Sequence, residues 1–452
     1  MKAIKSKIAV PATNPLWLLL LILLPVVSIW LGLRLLDRNK LDSPYRYNLV
    51  RPPSGTVTLE LGREMSFYQQ RIRQNPDGGL DRAGLAMAYL KMARASGDVS
   101  WYLLAEQAAQ ESLAKLPFSN DGAVLALAKV AEARHDFAKA IDLAQKVPSD
   151  NASGILVTAN LAIGEVDKAS KAAETLVKQI PTIGSVTLQA LVEVAQGKNT
   201  EARQSFQQAI TIEETGETGS SVWARSLLGR LYYRHGQLEQ ARNLYLEALR
   251  ITPQYAPALL SLAQLEIRLG NYKAAEKLYS QFFQLVNKSP TIYDHVVWRG
   301  MARIQDLQGN FPEAKKWRDR AEARLRQDLV GFGHRKELAQ LLLESNRPEL
   351  VAEALTLMQA EIRDRRDAET LSNLALALSR SGRWREAQQV MIQARRWGIK
   401  EAGIFHQTAT IEQRLGNSSQ ANKFLQLAQE IDPLFNKQAQ NALGLGVGLG
   451  VN

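Results

Sequence analysis

The side chains that could do covalent or metal chemistry are few and poorly spaced for it. The 452-residue chain contains no cysteine, which removes a thiol nucleophile, a Cys-ligated zinc, an iron–sulfur cluster and a disulfide framework together. Five histidines remain, His135, His235, His295, His334 and His406, scattered through the sequence. No HExxH, GxSxG or GxxxxGKS/T run occurs, so the spacings of a zinc helix, a nucleophile elbow and a phosphate loop are missing. His135 and His235 fall at turns between helices, where a polar residue serves a structural end. The C-terminal run ALGLGVGLGVN carries Gly444, Gly446, Gly448 and Gly450, but a dinucleotide loop needs a strand before it and a helix after it. Carboxylates are plentiful, yet they lie on amphipathic helices where i,i+4 partners and solvent account for them. The reading is a non-enzyme with no catalytic residue, no metal site and no cofactor.

Composition fits an ordered protein: 46% of residues are hydrophobic and 22% charged, with only 29 Gly and 16 Pro. The net charge is +11, but eight Lys and Arg against two Asp fall within the first 51 residues, so more than half of the excess is local. The charge left on the remainder is an ordinary surface rather than the basic footprint of a nucleic-acid binder.

That N-terminal stretch has a clear character. No charge occurs from Ile8 to Leu33, and from Leu16 the run reads LWLLLLILLPVVSIWLGL. Its eighteen residues at ~1.5 Å rise give ~27 Å, close to the hydrocarbon thickness of a bilayer. Trp17 and Trp30 stand near its two ends, where indoles favour the headgroup region. The residues after it, Arg34 to Arg38, offer no small-x-small cleavage site, so the segment reads as an uncleaved transmembrane anchor. Three lysines precede the span, and Arg34, Arg38, Lys40 and Arg46 come after it, which leaves the positive-inside rule nearly balanced. A short Lys-bearing tail kept in the cytoplasm would place the body on the far side of the membrane, with the cytoplasmic side as the alternative.

Beyond a Pro- and Gly-punctuated linker the sequence becomes periodic. LLGRLYYRHGQLEQARNLYLEALRITP (Leu227 to Pro253) and SLAQLEIRLGNYKAAEKLYSQF (Ser261 to Phe282) align at one constant offset, matching Gly236 with Gly270, Ala241 with Ala275 and Tyr245 with Tyr279. The small residue that opens the second helix recurs as Ala105, Ala140, Ala169, Ala202, Ala241, Ala275, Ala314, Ala354 (or Ala352), Ala387 and Ala421, at intervals clustered around that same step. Pro117, Pro181, Pro253 and Pro433 stand where a terminator belongs. This pattern resembles the tetratricopeptide repeat, a helix–turn–helix unit of about 34 residues. The likeness covers about 350 residues and speaks to fold rather than to activity.

The resemblance implies an all-α solenoid of about ten helix–turn–helix units, preceded by one transmembrane helix. The expected organisation is a short tail (1–15), the anchor (16–36), a linker (37–65), a first repeat array (66–214), a second array (215–436) beyond a hinge at Glu213–Ser221, and a Gly-rich apolar tail (437–452) covering the exposed face of the last repeat. An inserted SGDVSW (Ser96–Trp101) should part the helices of unit one, and residues 326–337 should form an irregular joint before unit eight.

Solenoids of this kind line their concave face mainly with the first helix of each unit and receive peptides there. Here the inward positions of units five to seven hold Arg230, Tyr233, Arg234, Gln264, Arg268, Arg299 and Arg303. Guanidinium groups recognise carboxylates, so an acidic or C-terminal peptide is the expected ligand unless Glu on neighbouring helices takes the arginines. The family's carboxylate clamp of Lys and Asn is not reproduced, since its positions hold Ser226, Arg230 and Ser261. By likeness to bacterial membrane-tethered repeat proteins, the expectation is a scaffold or adaptor in the inner membrane with a periplasmic body. It would bind other proteins and no nucleic acid; an assembly or chaperone-like factor for a membrane or envelope complex is the alternative.

Overall fold

A computed structural model describes residues 56–147, 150–214, 217–285, 290–332, 334–345 and 347–446. The expected tail at 1–15, the anchor at 16–36 and residues 447–452 lie outside that set. Among the described residues there are 22 helices and no strand, apart from one bridging pair, Asp98 and Thr291. No described helix is long and apolar enough to cross a membrane.

Ten helical pairs succeed one another. The first five are Gly79–Ser96 with Ser100–Lys115, Asp121–Ala133 with Phe137–Gln145, Asp150–Ala162 with Val166–Gln179, Ile183–Ala195 with Asn199–Thr211, and Thr218–Arg234 with Leu238–Ile251. The next five are Ala256–Arg268 with Tyr272–Leu285, Asp294–Leu307 with Phe311–Phe332, Arg335–Leu343 with Pro348–Asp364, Ala368–Arg380 with Trp384–Ala394, and Ala402–Arg414 with Ser418–Ile431. In eight of the ten turns a glycine holds a positive φ, and His135 takes the same left-handed conformation in unit two at φ 62°.

Packing explains the recurring residue types. All ten marker alanines are buried to within 1% exposure, and in unit eight the buried residue is Ala354 while Ala352 is exposed. A methyl group at that point lets the paired helices approach closely. One helical turn further on, Phe206, Tyr245 and Tyr279 are fully buried. Tyr245 and Tyr279 press on Gly229 and Gly300, where a Cβ would collide with the ring. Tyr245 thereby fills the space between the two helices of its own unit, and Tyr279 the space between units six and seven.

Several boundaries differ from expectation. A helix runs from Thr56 to Gln74, taking the last part of the segment read as linker; Met65, Tyr68 and Ile72 on it pack against unit one. The connection in unit one is only Gly97–Val99, since Ser100 and Trp101 are already helical. Most of the expected joint at 326–337 continues the long helix ending at Phe332. The expected division near 214 falls inside one core that runs from Val157 to Leu265, and Glu213 pairs with the buried Arg225 at 2.9 Å.

The superhelix also closes on itself. The Ile292 amide donates to the Gly97 carbonyl (3.0 Å), joining unit one to the entry of unit seven. The Arg366 amide donates to Ala162 O (2.7 Å), and Arg396 and the Trp397 indole donate to Gly164 O. Gly197 lies against Gly398, and Gly236 against Asp432. Two glycines separate local from global cost. Gly382 has φ 76° with open space around it, whereas at Gly197 (φ 70°) a Cβ would collide with the Gly398 carbonyl. Gly382→Ala should therefore cost only the left-handed penalty of about 1–2 kcal/mol. Gly197→Ala should lower the thermal midpoint further and raise amide exchange at 396–400; equal effects would argue against a closed seam.

Candidate functional site

The first helices of units five to seven face the superhelix axis, and all seven residues singled out from the sequence line one cavity of about 880 Å³. Closure changes what they can do there. Arg230 and Arg234 reach Glu369 at 3.2 and 3.3 Å, and Arg234 also pairs with Glu401. Arg268 meets Asp432 at 2.7 Å, with both side chains buried. Arg299 and Arg303 share Glu344 at 3.0 and 3.2 Å. The five arginines thus have carboxylate partners on units eight to ten and just beyond them. This is the alternative in which acidic side chains of the chain, rather than an acidic peptide, take them, with several partners coming from returning units instead of neighbouring helices.

The two uncharged candidates are also occupied. The Arg268 guanidinium lies 5.2 Å from the Tyr233 ring centroid and donates to the Tyr233 carbonyl at 2.9 Å. Tyr233 is therefore a platform for Arg268, and burial pushes its hydroxyl up to about 12. Gln264 donates from Nε2 to the Ala442 carbonyl at 2.7 Å, and Arg303 to the Asn441 carbonyl at 2.6 Å. The segment expected to cover the last repeat's exposed face instead enters the groove. It begins with a short helix, Lys437–Asn441, and buries Ala442 and Leu445 among Leu260, Ala263, Ile267 and Val296.

Glu369 is the electrostatic centre of this arrangement. Beyond Arg230 and Arg234 it accepts from the buried Lys336 ammonium at 3.3 Å. Lys336 first, then the two guanidiniums, hold its carboxyl well below the usual range against the opposing effect of burial. Burial would raise Glu337, but Lys336 beside it, at 3.5 Å, brings it well below as well.

Sequence reasoning missed a second cluster. His135, His295 and His334 converge from units two, seven and eight on a chamber of about 80 Å³ that also admits Glu337. The His295 and His334 ring centroids are 5.0 Å apart, and His135 stacks on Phe137 at 5.6 Å. Burial pushes His135 down to about 3 and His295 well below its ordinary value, so both are neutral at pH 7. His295 and His334 meet through the stacking of adjacent units, and closure brings His135 of unit two beside them. Among the described residues no group of three or more His, Cys, Asp or Glu is arranged to hold a metal ion.

A closed helical-repeat solenoid with a charged axial cavity is the class these observations define. Sequence models of the tetratricopeptide repeat match residues 184–254, 226–290 and 368–407. These matches, over about a third of the chain, support a protein built of tetratricopeptide repeats, a repeat type that points to protein–protein interaction. It is 28% identical over 173 residues to human tetratricopeptide repeat protein 7B, covering 36% of this chain and 19% of that protein. It is 38% identical over 60 residues to the uncharacterized protein ycf37 of Pyropia yezoensis, covering 13% of this chain and 34% of that one. The chain thus spans about a third or less of the curated relatives it matches. Among solved structures, yeast Tom70 is similar at 11% identity and a TM-score of 0.38, over 85% of this chain and 91% of that one.

Glu369→Gln tests the centre. A carboxyl whose folded pKa is lowered contributes its full stability above its unfolded pKa of about 4.3 and loses it progressively as pH falls from there to the lowered folded value. The variant should be destabilised at pH 7 by about 1–3 kcal/mol, since a third of the side chain still faces the cavity. In urea titrations the gap from wild type should narrow toward pH 3; a gap independent of pH would remove Glu369 from this role.

Proposed function

We propose that this chain is a non-catalytic scaffold, fixed to a membrane by the uncharged segment within 16–36, that holds partner proteins through its axial cavity. The observation that carries the reading is that cavity: at about 880 Å³ it falls within the range of sites that enclose a ligand. Its wall on units nine and ten presents Ser372, Asn373, Gln407 and Thr410 beside Leu376 and Trp384. That mixture can hold a protein segment by side-chain hydrogen bonds and apolar contact. The repeat family supports protein binding as the general role. The apolar run from Leu16, with its flanking tryptophans, supports the anchor, and we assign the body to the periplasmic side of a bacterial inner membrane.

Two measurements on the full chain test this. A photo-reactive side chain at exposed Thr410 should yield a discrete protein adduct in native membranes. Adducts from convex positions alone would contradict a working cavity. In spheroplasts, added protease should degrade the repeat body, and alkaline carbonate should leave the chain in the membrane fraction unless residues 8–33 are removed. Protection from the protease would place the body on the cytoplasmic side.

A further inference from the structure

The segment 441–446 shows what the groove is built to hold. Two polar side chains, Gln264 and Arg303, donate to its main-chain carbonyls, of Ala442 and Asn441, while Arg299 and Gln340 lie beside Gly444. The two donors read the backbone of whatever lies there, not its charge. Two apolar sockets do the rest: Ala442 is 0% and Leu445 1% exposed, packed in one cluster with Leu260, Ala263, Ile267, Ile292 and Val296. Gly446 lies so close to Gln264 that a Cβ would collide with the amide oxygen, and Gly444 has φ 73°. The seat therefore favours alanine and leucine at two positions and glycine at 444, where φ is left-handed, with Gly446 against the movable end of Gln264 and no acidic residue among them. The groove arginines already have carboxylates within the chain, so an acidic ligand would have to displace buried or half-buried ion pairs, which is costly.

We infer that the partner segment this groove takes is a neutral, Gly-punctuated alanine–leucine stretch, and that residues 441–446 occupy its seat as an intramolecular competitor. The inference rests on the axial cavity being the working surface. Gly444 and Gly446 line both the chamber of about 80 Å³ and the cavity of about 880 Å³, so the tail stands between the two, and its departure would join them. A partner segment of the same chemistry would replace the tail's two hydrogen bonds and two apolar contacts like for like. Effective concentration favours the tethered copy, so binding in trans stays weak until the tail is loosened.

The test uses the full chain and a fluorescent peptide of residues 437–452. Leu445→Asp, which places a charge in the apolar socket, should release the tail and bind this peptide at least tenfold more tightly than wild type. Adding Gln264→Ala should weaken that binding several-fold. A control peptide with its leucines replaced by aspartate should not bind. If Leu445→Asp disturbs folding, wild type supplies a second readout: excess of the 437–452 peptide, but not the acidic control, should raise amide exchange at 439–446. A folded Leu445→Asp chain that ignores the 437–452 peptide, or prefers the acidic one, overturns the inference. A silent peptide alongside intact adducts at Thr410 would discard the tail as competitor while leaving the scaffold reading standing.

Discussion

A two-helix hairpin of this sequence cannot bury its apolar face alone, so each unit must lie on the next, and the geometry of that contact governs everything downstream. The alanine that opens each second helix closes the hairpin, and the aromatic one turn beyond it packs within the pair at Tyr245 and against the next unit at Tyr279. Small residues at one point and a large ring at the next fix both the distance and the rotation between neighbours. Repeated ten times, a fixed rotation accumulates into a superhelix, and here it brings late units back against early ones. The backbone bonds from Arg366 to Ala162 and from Ile292 to Gly97 are the result of that accumulated curvature.

Closure then decides the electrostatics of the axis. In an open solenoid the arginines of units five to seven would face solvent or a ligand. Returning units supply Glu344, Glu369, Glu401 and Asp432 instead, and the last described segment lays its own backbone across Gln264 and Arg303. Charge on the inner face is matched within the chain. Recognition of a partner is then left to backbone-directed donors and apolar sockets.

The sequence carried the period, the ten units and the marker alanines, because each depends on contacts within one repeat or between neighbours. It also carried the grouping of Arg230, Tyr233, Arg234, Gln264, Arg268, Arg299 and Arg303 on one wall, since equivalent positions of stacked repeats share a face. Their partners were illegible: Arg230 and Glu369 stand 139 residues apart, and nothing local announces that they meet. The part of the histidine chamber that His135 supplies from unit two was hidden for the same reason. Helix boundaries failed where composition and packing disagree. Thr56, Val57, Thr58 and Gly62 are weak helix formers, yet the helix they begin is held by Met65, Tyr68 and Ile72 on unit one. Residues 326–337 read as an irregular joint, but the long helix continues to Phe332, with Leu325 fully buried and Leu329 packed against later units.

Closure is tested most directly by a covalent trap across the seam. Asp98 and Thr291 form an antiparallel bridging pair between unit one and the entry to unit seven, at a separation a disulfide can span. With no native cysteine to interfere, the double variant Asp98→Cys/Thr291→Cys should form one intramolecular disulfide under mild oxidation, giving a single faster-migrating band on non-reducing gels. A helical, folded double variant that stays reduced or links only between molecules would mean an open superhelix, with the arginines of its inner face free.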